Sequence, residues 1–551
     1  GEDLDALSDL AWRSRDRAER RRLGQVFTPR RVARQVLLEL GPAAPAGGIL
    51  DPACGGGVFL AEAVGLRAAR ARARGWDPAA IGRDLVAHVH GVDVDPGTAR
   101  LARLVTGDRI VSALGPDAAA VVPSLPLPDV WCADATAAGA LERLTDVAWI
   151  VGNPPYREAK GMAPEARDAL RARFGDRLDG AFDLWACFVE LALEHLDRVD
   201  DGEPAGDAGD ERRIGFVLPN KGLVARYAAG LRRRLGADRR LHALIDLSER
   251  DVFGKVSVYP VIVAIGPPTP TFRSTFAVPP TAPLGEARLP GVPVDAGLPQ
   301  RLMDPPVWFT VPDRALHGLI DRLAGRVPPL GHQAEVRSTC SFHVRGLRER
   351  YVGPGDAVPD GLPYLGGQSF ARTSEVRPYG VDWAGYRIRF AADELRAIGN
   401  PLPPLGLFQR PKVVVRQHAK RAIAWFDAEG RFVTKDVYPI VVPRRGDGPM
   451  AAALTAVLNS RVFSVVYAVV YRGIAVGGGY LHFLPAMLGP VPVPELDPDT
   501  VEALADGVTA VQADPTAAGI EALDDRVSAL YGLDDAEREA VRAFAARLGF
   551  P

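Results

Sequence analysis

The stretch that decides the fold is Val147-Ala148-Trp149-Ile150-Val151-Gly152-Asn153-Pro154-Pro155-Tyr156. Its first six residues form a short apolar run, rich in β-branched and aromatic side chains, which predicts a buried strand. The prolines that follow end the strand because neither can donate a backbone hydrogen bond. The side chains after the strand are therefore predicted to stand on a stiff turn at its carboxyl end, where open α/β sheets bind ligands.

This turn suits a reaction at an exocyclic amine of adenine or cytosine, a poor nucleophile whose lone pair is delocalised into the ring. The side-chain oxygen of Asn153 and the backbone carbonyl of Pro154 can accept the N–H protons of such an amine, which frees its lone pair for attack. Pro155 fixes the geometry, and the ring of Tyr156 can stack on a base swung out of its duplex. An ordinary proline-rich turn also accounts for the four residues, so the rest of the chain decides between the two interpretations.

Upstream, acidic residues follow three more predicted strands. Ile49–Leu60 reads as a strand, a glycine-rich turn and a helix start, the first unit of a Rossmann-like sheet, without the full NAD or ATP fingerprint. Asp51 at the end of that strand suits an ammonium group. Asp93 ends the second strand, the usual place of a ribose ligand, whereas we expect Asp95 to cap the next helix. Asp134 follows a third strand and can accept a hydrogen bond from an adenine amine.

The N-terminal segment is basic. Residues 1–23 predict an arginine-rich helix, which is either a solvated face or an arm that contacts phosphates. Thr28 is predicted to be the N-cap of the next helix, with Pro29 at its first position. A plain capped helix explains this pair, but a helix N-terminus with a free hydroxyl also suits a carboxylate such as that of a methionine moiety.

Downstream of Tyr156 we expect a polar loop of about 25 residues, of the length that is usually functional or mobile. A helical period follows over residues 183–193, and strands over 244–247 and 258–265 are predicted to close the sheet. Phe253 lies in the turn between the last two strands.

A proline-rich stretch over residues 266–299 predicts a domain boundary, and the chain beyond it has the short β-like runs and turns of a mixed domain. Basic and aromatic residues interleave over 342–351 and 410–421, where they can contact phosphates and base edges or form solvated strand faces. From residue 497 the chain is acidic and helical.

Composition describes an ordinary globular protein of 551 residues with a formal net charge of -2, so a nucleic-acid partner must meet a local basic surface. The four cysteines are far apart, which argues against a zinc site or a disulfide framework and fits a reducing cytoplasm. No run is long enough to span a membrane, and the N-terminus is unlike a signal peptide. We therefore expect a cytoplasmic protein with no metal site.

Five motifs in a fixed order resemble the adenine-N6 DNA methyltransferases of restriction–modification systems, in their gamma arrangement. They are Gln25-Val26-Phe27-Thr28-Pro29, Asp51-Pro52-Ala53-Cys54-Gly55-Gly56-Gly57, Gly91-Val92-Asp93-Val94-Asp95-Pro96, Asp134, and Asn153-Pro154-Pro155-Tyr156. The resemblance implies an α/β, Rossmann-like S-adenosylmethionine-dependent methyltransferase domain over residues 24–268, after the basic helix of residues 1–23. It implies a mixed α+β DNA target-recognition domain over 269–496 and a helical C-terminal tail over 497–551.

The same resemblance implies roles for individual residues. The expected S-adenosylmethionine contacts are Thr28, Asp51, Ala53, Cys54, Gly55, Asp93, Asp134, Pro155 and Phe188. Phe188 would lie against the adenine of the cofactor, with Phe182 in that place if the helix register is shifted. Tyr156 and Phe253 would grip the flipped target base. The segment between Asp51 and Asp93 is about twice as long as usual in the family, which leaves open whether Asp93 or Asp95 reaches the ribose.

The implied partner is double-stranded DNA, and a separately encoded restriction endonuclease is a candidate second partner. Two other functions remain open. A methyltransferase of RNA or of a protein glutamine amide would use the same turn, and a DNA-binding module with a degenerate catalytic half would keep the fold without the activity.

Overall fold

A computed structural model of the chain describes residues 28–178, 180–197, 211–253, 259–344, 346–366, 375–445, 447–475 and 479–550. The chain divides into two compact units. The first comprises residues up to Gln300 together with Pro305–Pro312, and the second comprises Arg301–Asp304 and Asp313–Pro551. The predicted basic helix of residues 1–23 lies outside the described residues.

Within its described residues, the first unit contains nine strands that form one sheet. They are β1 (Gly48–Asp51), β2 (Val89–Asp93), β3 (Asp129–Cys132), β4 (Val147–Gly152), β5 (Arg213–Pro219), β6 (Leu241–Asp246), β7 (Pro260–Ile265), β8 (Thr271–Thr275) and β9 (Val292–Asp295). The strand order is β3-β2-β1-β4-β5-β7-β6-β8-β9. Strands β1 to β5 run parallel to one another, and β7 is antiparallel to both of its neighbours, β5 and β6. This is the predicted Rossmann-like sheet.

The helices of the first unit follow the strands in the alternation that a parallel sheet requires. They are α1 (Arg30–Leu40), α2 (Val58–Ala73), α3 (Pro78–His88), α4 (Pro96–Leu114), α5 (Ala118–Val121), α6 (Pro164–Phe174), α7 (Leu184–Asp197) and α8 (Ala229–Ala237). Helix α1 buries Val32, Val36 and Leu40 at helical spacing, and every residue of β1 and β4 is buried. The apolar stretch Val147–Gly152 therefore lies inside the sheet, with the turn at its carboxyl edge.

One sequence-based expectation about this unit is wrong. The sheet does not close at residue 265, because β8 pairs with β6 and β9 pairs with β8. These edge strands lie inside the proline-rich stretch, where prolines flank short pairing segments such as residues 271–275 without interrupting them. The compact units consequently divide near residue 300, about thirty residues beyond the boundary proposed at 268/269.

The expected polar loop after Tyr156 is largely helical. Helix α6 occupies Pro164–Phe174, between short 3₁₀ turns at Ala159–Gly161 and Gly175–Arg177. Pro164 stands at its first position, and the alanines, arginines and Glu165 that follow are good helix formers. Its few apolar residues gave no helical period, because only Leu170 and Phe174 are buried.

The strands of the second unit are short. They are β10 (Ala334–Arg337), β11 (Val352–Pro354), β12 (Leu362–Leu365), β13 (Val376–Arg377), β14 (Gly380–Val381), β15 (Tyr386–Ile388), β16 (Lys412–Val415), β17 (His418–Ala419), β18 (Ala424–Asp427), β19 (Val433–Thr434), β20 (Ile440–Pro443) and β21 (Leu481–His482). Among the described residues they form sheets β10-β20-β16-β18 and β11-β15-β12-β19 and the ribbons β13-β14 and β17-β21. Aromatic and aliphatic side chains of both larger sheets share one core.

Helix α9 (Leu298–Leu302) spans the division between the units. The helices of the second unit are α10 (Arg314–Leu323), α11 (Leu330–Gln333), α12 (Leu347–Tyr351), α13 (Ala392–Ala397), α14 (Asp447–Asn459), α15 (Arg461–Tyr471), α16 (Pro485–Leu488), α17 (Pro498–Ala513), α18 (Ala517–Leu530) and α19 (Asp535–Arg547). The last three form the predicted helical C-terminal region. Together with the sheets they make the second unit a mixed α+β structure.

In the described residues, no single helix is long and apolar enough to cross a membrane. Helices α14 and α15 pass that test only as a pair, and the pair is bent by 62°. Both helices are buried over most of their length in the second unit.

Candidate active site

The catalytic turn, defined as Asn153, Pro154, Pro155 and Tyr156, leaves strand β4 beside strand β1. The two strands are parallel neighbours, so the turn emerges next to Asp51 at the end of β1. Gly152 has a φ of 154°, and a Cβ atom there would lie 2.7 Å from Oδ1 of Asp51. Glycine is required at this position because it lets the strand end approach the carboxylate.

The side chain of Asn153 is held on one side only. Its Nδ2 donates a hydrogen bond to Oγ1 of Thr28, at 2.9 Å. Its Oδ1 is buried, and none of the described residues donates a hydrogen bond to it. A buried acceptor without a donor costs free energy, so this oxygen keeps a hydrogen-bonding capacity that the described residues do not use.

The expected capping role of Thr28 is wrong. Helix α1 begins at Arg30 with Pro29 in the cap position, and no side chain in the described part caps it. The hydroxyl of Thr28 is buried and accepts the bond from Asn153 instead. Thr28 therefore positions the amide of the catalytic turn.

Tyr156 is anchored through its hydroxyl, which donates to the carbonyl of Val217 on β5 at 3.0 Å. Burial raises the pKa of Tyr156 well above its usual value, and the nearby Asp183 carboxylate raises it further. The phenol consequently stays a neutral donor at ordinary pH. With its tip fixed and its side chain half-buried, the ring is a rigid surface.

Asp51 is a buried carboxyl group at the end of β1, only 1% exposed. Its Oδ1 accepts from the backbone of Ala53 at 3.0 Å, while its Oδ2 has no hydrogen-bond partner within the part of the chain that the structure describes. Burial raises the pKa of Asp51 to about 8; the Ala53 N–H lowers it, and the charge of Asp93 raises it. A positively charged donor beside Oδ2 would compensate that burial.

Asp93 and Asp95 have different places. Asp93 is buried and accepts from the backbone N–H groups of Gly55 and Asp95, at 3.0 and 2.9 Å. Asp95 caps helix α4 as expected, because its Oδ1 accepts from the backbone and the hydroxyl of Thr98, both at 2.7 Å. Asp93 lines a cavity at this edge of the sheet, and in the described structure Asp95 does not line it.

A cavity of about 1010 Å³ opens at this edge of the sheet. The predicted site residues that line it are Ala53, Gly55, Asp93, Asp134, Asn153, Pro155 and Phe188. Asp134 is exposed there and its Oδ1 accepts from the backbone of Thr136 at 2.9 Å. The structure thus brings together residues of the first four strand ends and of helix α7, which are far apart in the sequence.

Other predicted residues are not brought to the cavity in the described structure. Cys54 turns its side chain into the hydrophobic core, against the position of Gly91, and its backbone N–H donates to Val92 at 2.8 Å. Phe182 is buried away from the cavity, whereas Phe188 lines it, so helix α7 has the expected register. Phe253 is half-buried and packs against the core of the first unit; residues 254–258 lie outside the described residues.

Sequence reasoning missed the residues that cover the cavity. Leu170 and Arg173 of helix α6 line it. Arg173 donates to the carbonyl of Thr136, and its Nη2 lies 2.9 Å from Oε2 of Glu194 on helix α7. The proline at the start of α6 was the available signal, but nothing in the sequence indicated the face that the helix presents.

Comparison with known families gives two matches. Residues 146–253 match the family described as Eco57I restriction-modification methylase, and residues 368–493 match the TaqI-like C-terminal specificity domain. The first match contains the catalytic turn and Phe253 but begins after Asp51, Asp93 and Asp134. No curated protein matches the chain.

Three solved structures share the fold over most of the chain. The Type IIL restriction-modification enzyme MmeI, solved with DNA, is 13% identical with a TM-score of 0.57, and the match covers 94% of this chain and 74% of that one. The DrdV–DNA complex is 14% identical with a TM-score of 0.51, and the match covers 93% of this chain and 59% of that one. A nuclease-deletion mutant of the Type ISP restriction-modification enzyme LlaGI, solved with a DNA substrate mimic, is 12% identical with a TM-score of 0.50. That match covers 89% of this chain and 54% of that one.

At these identities the solved structures establish the fold, and the chain spans between 54% and 74% of their lengths. The family matches establish the kinds of domain. Residues 146–253 therefore belong to an Eco57I-type restriction-modification methylase domain, and residues 368–493 belong to a TaqI-like specificity domain.

Proposed function

We propose that the protein transfers a methyl group from S-adenosylmethionine to the N6 amine of an adenine flipped out of a specific double-stranded DNA sequence. It would act as the modification component of a restriction–modification or related defence system. The observation that carries this proposal is the buried Oδ1 of Asn153, a residue that lines the cavity, because the described residues supply that oxygen with no donor. An amine that must shed its conjugation is a donor suited to that oxygen.

The site fits S-adenosylmethionine. Asp51 has a buried oxygen without a donor in the described structure, which suits the ammonium group of a methionine moiety, and Asp93 can accept ribose hydroxyls at the cavity wall. Gly55 adopts a φ of 51° and leaves space where a Cβ would stand, so the backbone can approach a ligand closely. Phe188 and Asp134 would hold the adenine end. When bound, the cofactor supplies an electrophilic methyl group.

The residues of the chain would act on the target amine. Oδ1 of Asn153 accepts one of its N–H groups, and the carbonyl of Pro154 accepts the other. These bonds strengthen as the nitrogen becomes tetrahedral and acidic, so they favour the transition state over the ground state. Thr28 keeps the amide in orientation through its bond to Nδ2. Tyr156, fixed at Val217, would stack on the flipped base, with Phe253 on the opposite side.

DNA as substrate is supported by the specificity domain match and by the DNA bound to the solved enzymes of similar fold. Methylation of RNA or of a protein glutamine would use the same turn but gives no reason for a TaqI-like specificity domain. A DNA-binding module without activity would not need to hold the Asn153 oxygen buried without a donor.

The test offers DNA, RNA and protein in parallel to the purified protein with S-adenosylmethionine labelled in its methyl group. Label should enter DNA alone, and nucleoside analysis of the DNA should give N6-methyladenine. Label in RNA, in a protein glutamine or in cytosine would contradict the proposal. Methylation-sensitive long-read sequencing of the product then gives the recognition sequence.

A further inference from the structure

A buried carboxylate outside the cavity lining fastens the exit of the catalytic turn. Asp183 is 1% exposed and precedes helix α7. Its Oδ1 accepts from the backbone N–H of Arg157, the residue that follows Tyr156, at 2.8 Å. Asp183 therefore accepts a hydrogen bond from the chain one residue beyond Tyr156.

Backbone hydrogen bonds around Asp183 also join the residues that follow Tyr156 to the start of helix α7. Glu158 and Asp183 form an antiparallel bridge. The N–H of Ala159 donates to the carbonyl of Phe182 at 2.8 Å, and the N–H of Leu184 donates to that of Arg157 at 2.9 Å. The chain leaving the turn is thus bound on both sides to the start of the helix that carries Phe188.

The second oxygen of Asp183 faces strand β5. Nζ of Lys221 lies 3.1 Å from Oδ2 of Asp183 and 3.4 Å from Oε1 of Glu158. Lys221 stands in the 3₁₀ turn Asn220–Leu223 directly after β5, the strand whose Val217 carbonyl accepts from Tyr156. The ion pair therefore joins the end of β5 to the start of α7 across the exit of the turn.

The charge of Asp183 is unfavourable for stability alone. Burial raises the pKa of Asp183 by more than Lys221 and the backbone N–H groups lower it. A neutral side chain such as asparagine could accept from Arg157 without that desolvation cost. A role that needs the ionised group as well as the hydrogen bond accounts for its presence beside Tyr156.

We propose that Asp183, paired with Lys221, is a positioning residue that holds the exit of the catalytic turn, and through it the Tyr156 ring, in the geometry that methyl transfer requires. This inference rests on the proposed function, because it assumes that Tyr156 receives a target base. It predicts an effect on turnover, with cofactor affinity unchanged, since Asp183 touches neither the cavity nor its acidic residues.

The test compares Asp183→Ala, Asp183→Asn and Lys221→Met with the wild type, using unmethylated plasmid DNA and tritiated S-adenosylmethionine. Rates are counted per molecule that binds cofactor, well below each melting temperature. We expect kcat to fall roughly 10- to 100-fold for Asp183→Ala, the scale of a misplacement near 1 Å, with KM for S-adenosylmethionine within about threefold. Asp183→Asn should recover part of the loss because it keeps an acceptor for Arg157.

The ion pair predicts a further result. Lys221→Met should resemble Asp183→Asn, and the double variant should be no slower than either single variant, because both remove one interaction. Asp313→Ala is the matched control, since Asp313 caps helix α10 through Leu316 in the second unit. It should lower the melting temperature without lowering kcat.

Wild-type kcat in folded Asp183→Ala, or strictly multiplicative losses in the double variant, would overturn the positioning role. Failure of the proposed function is a separate result, in which the wild type makes a product other than N6-methyladenine. The same variants can then be compared on that product.

Discussion

Two buried polar clusters, one at the catalytic turn and one in the second unit, differ in how their hydrogen bonds are completed. In the second unit, Lys412 is fully buried on β16 and donates to Oδ2 of Asp427 and to the carbonyl of Phe408, at 2.5 and 2.6 Å. Asp427 also accepts from the backbone N–H groups of Arg431 and Phe432. This ion pair is completed entirely within the chain.

At the catalytic turn, the described residues do not complete the hydrogen bonds of the buried polar groups. Oδ1 of Asn153 and Oδ2 of Asp51 are buried at adjacent strand ends, and the described residues supply neither with a donor. Each such group costs roughly 1–3 kcal/mol. The pair in the second unit therefore serves the fold, whereas under the proposed function the two oxygens at the sheet edge receive their donors from ligands.

Removing a partner from the completed pair should have the largest effect on stability. Lys412→Met leaves the Asp427 carboxylate buried without its cation, which should lower the free energy of unfolding by about 3–5 kcal/mol. Urea denaturation measures the change. Lys420→Met, at an exposed lysine in the same unit, is the control and should change stability by less than about 0.5 kcal/mol. Equal, small losses in both variants would show that the pair is not structural.

Neutralising Asp51 at the catalytic turn should have the opposite effect on stability. The pKa of Asp51 is about 8 in the folded protein against an ordinary 3.8, so between these values the folded protein holds a proton that the unfolded chain has released. Its contribution to stability is lost as the pH rises through this window and is constant above about 8. Asp51→Asn should therefore stabilise the ligand-free protein by on the order of a few kcal/mol at pH 9 and little at pH 4.

Thermal unfolding at both pH values measures this effect, with exposed Asp134→Asn as the control. The same Asp51→Asn variant should bind S-adenosylmethionine more weakly, because it has lost the charge that faces the ammonium group. Destabilisation at pH 9 would contradict the account of Asp51.

The two aspartates after β2 separate the ligand role from the capping role. Asp93→Ala should weaken S-adenosylmethionine binding by about 1.5–3 kcal/mol, the usual loss for a hydrogen bond to a charged group. Asp95→Ala should cost about 1 kcal/mol of stability through the lost cap and leave affinity nearly unchanged. Titration calorimetry and melting curves on both variants test this. Weaker cofactor binding in Asp95→Ala, with unchanged affinity in Asp93→Ala, would show that Asp95 binds the ribose.

Phe253 is half-buried and packs against the apolar core of the first unit, so its role is the least fixed by the structure. If it grips the target base, Phe253→Ala removes stacking of roughly 1–3 kcal/mol per base. Methylation of duplex DNA should fall, and a duplex with 2-aminopurine at the mapped target should brighten less on binding. Phe272→Ala, in the fully buried part of β8, is the core control and should mainly lower the melting temperature. An undiminished 2-aminopurine fluorescence rise with Phe253→Ala would show that Phe253 is a core residue and does not contact the target base.

The sequence predicted the elements whose local pattern and burial agree. Strand β4 has the predicted bounds, 147–152, because a run buried on both faces is continuously apolar. The acidic strand ends were predictable because parallel strands bring them to one edge. Helix α6 was missed because a mostly exposed helix has little apolar period, and β8 and β9 because pairing at a sheet edge depends on the neighbouring strand.

Within the site, the position of the turn at the sheet edge was predictable from the sequence, and the contacts that support the turn were not. The bond from Asn153 to Thr28 joins residues 125 positions apart, and the contacts of Asp183 to Arg157 and Lys221 depend on how helix α7 meets β5. Such pairings arise from tertiary packing. Neither the spacing of Asp183 nor that of Lys221 marks them in the sequence.

The most direct test of the central claim, that the Asn153 oxygen is held for a substrate amine, is the single-turnover rate of Asn153→Ala on unmethylated DNA with saturating S-adenosylmethionine. Loss of a contact made mainly in the transition state should slow methyl transfer about a hundredfold or more, or about 2–4 kcal/mol. Cofactor affinity should stay within a few-fold of the wild type, and stability should change little, because the lost bond to Thr28 is offset by removal of a buried oxygen that lacks a donor. A folded Asn153→Ala protein that binds cofactor and methylates DNA at the wild-type rate would contradict the claim.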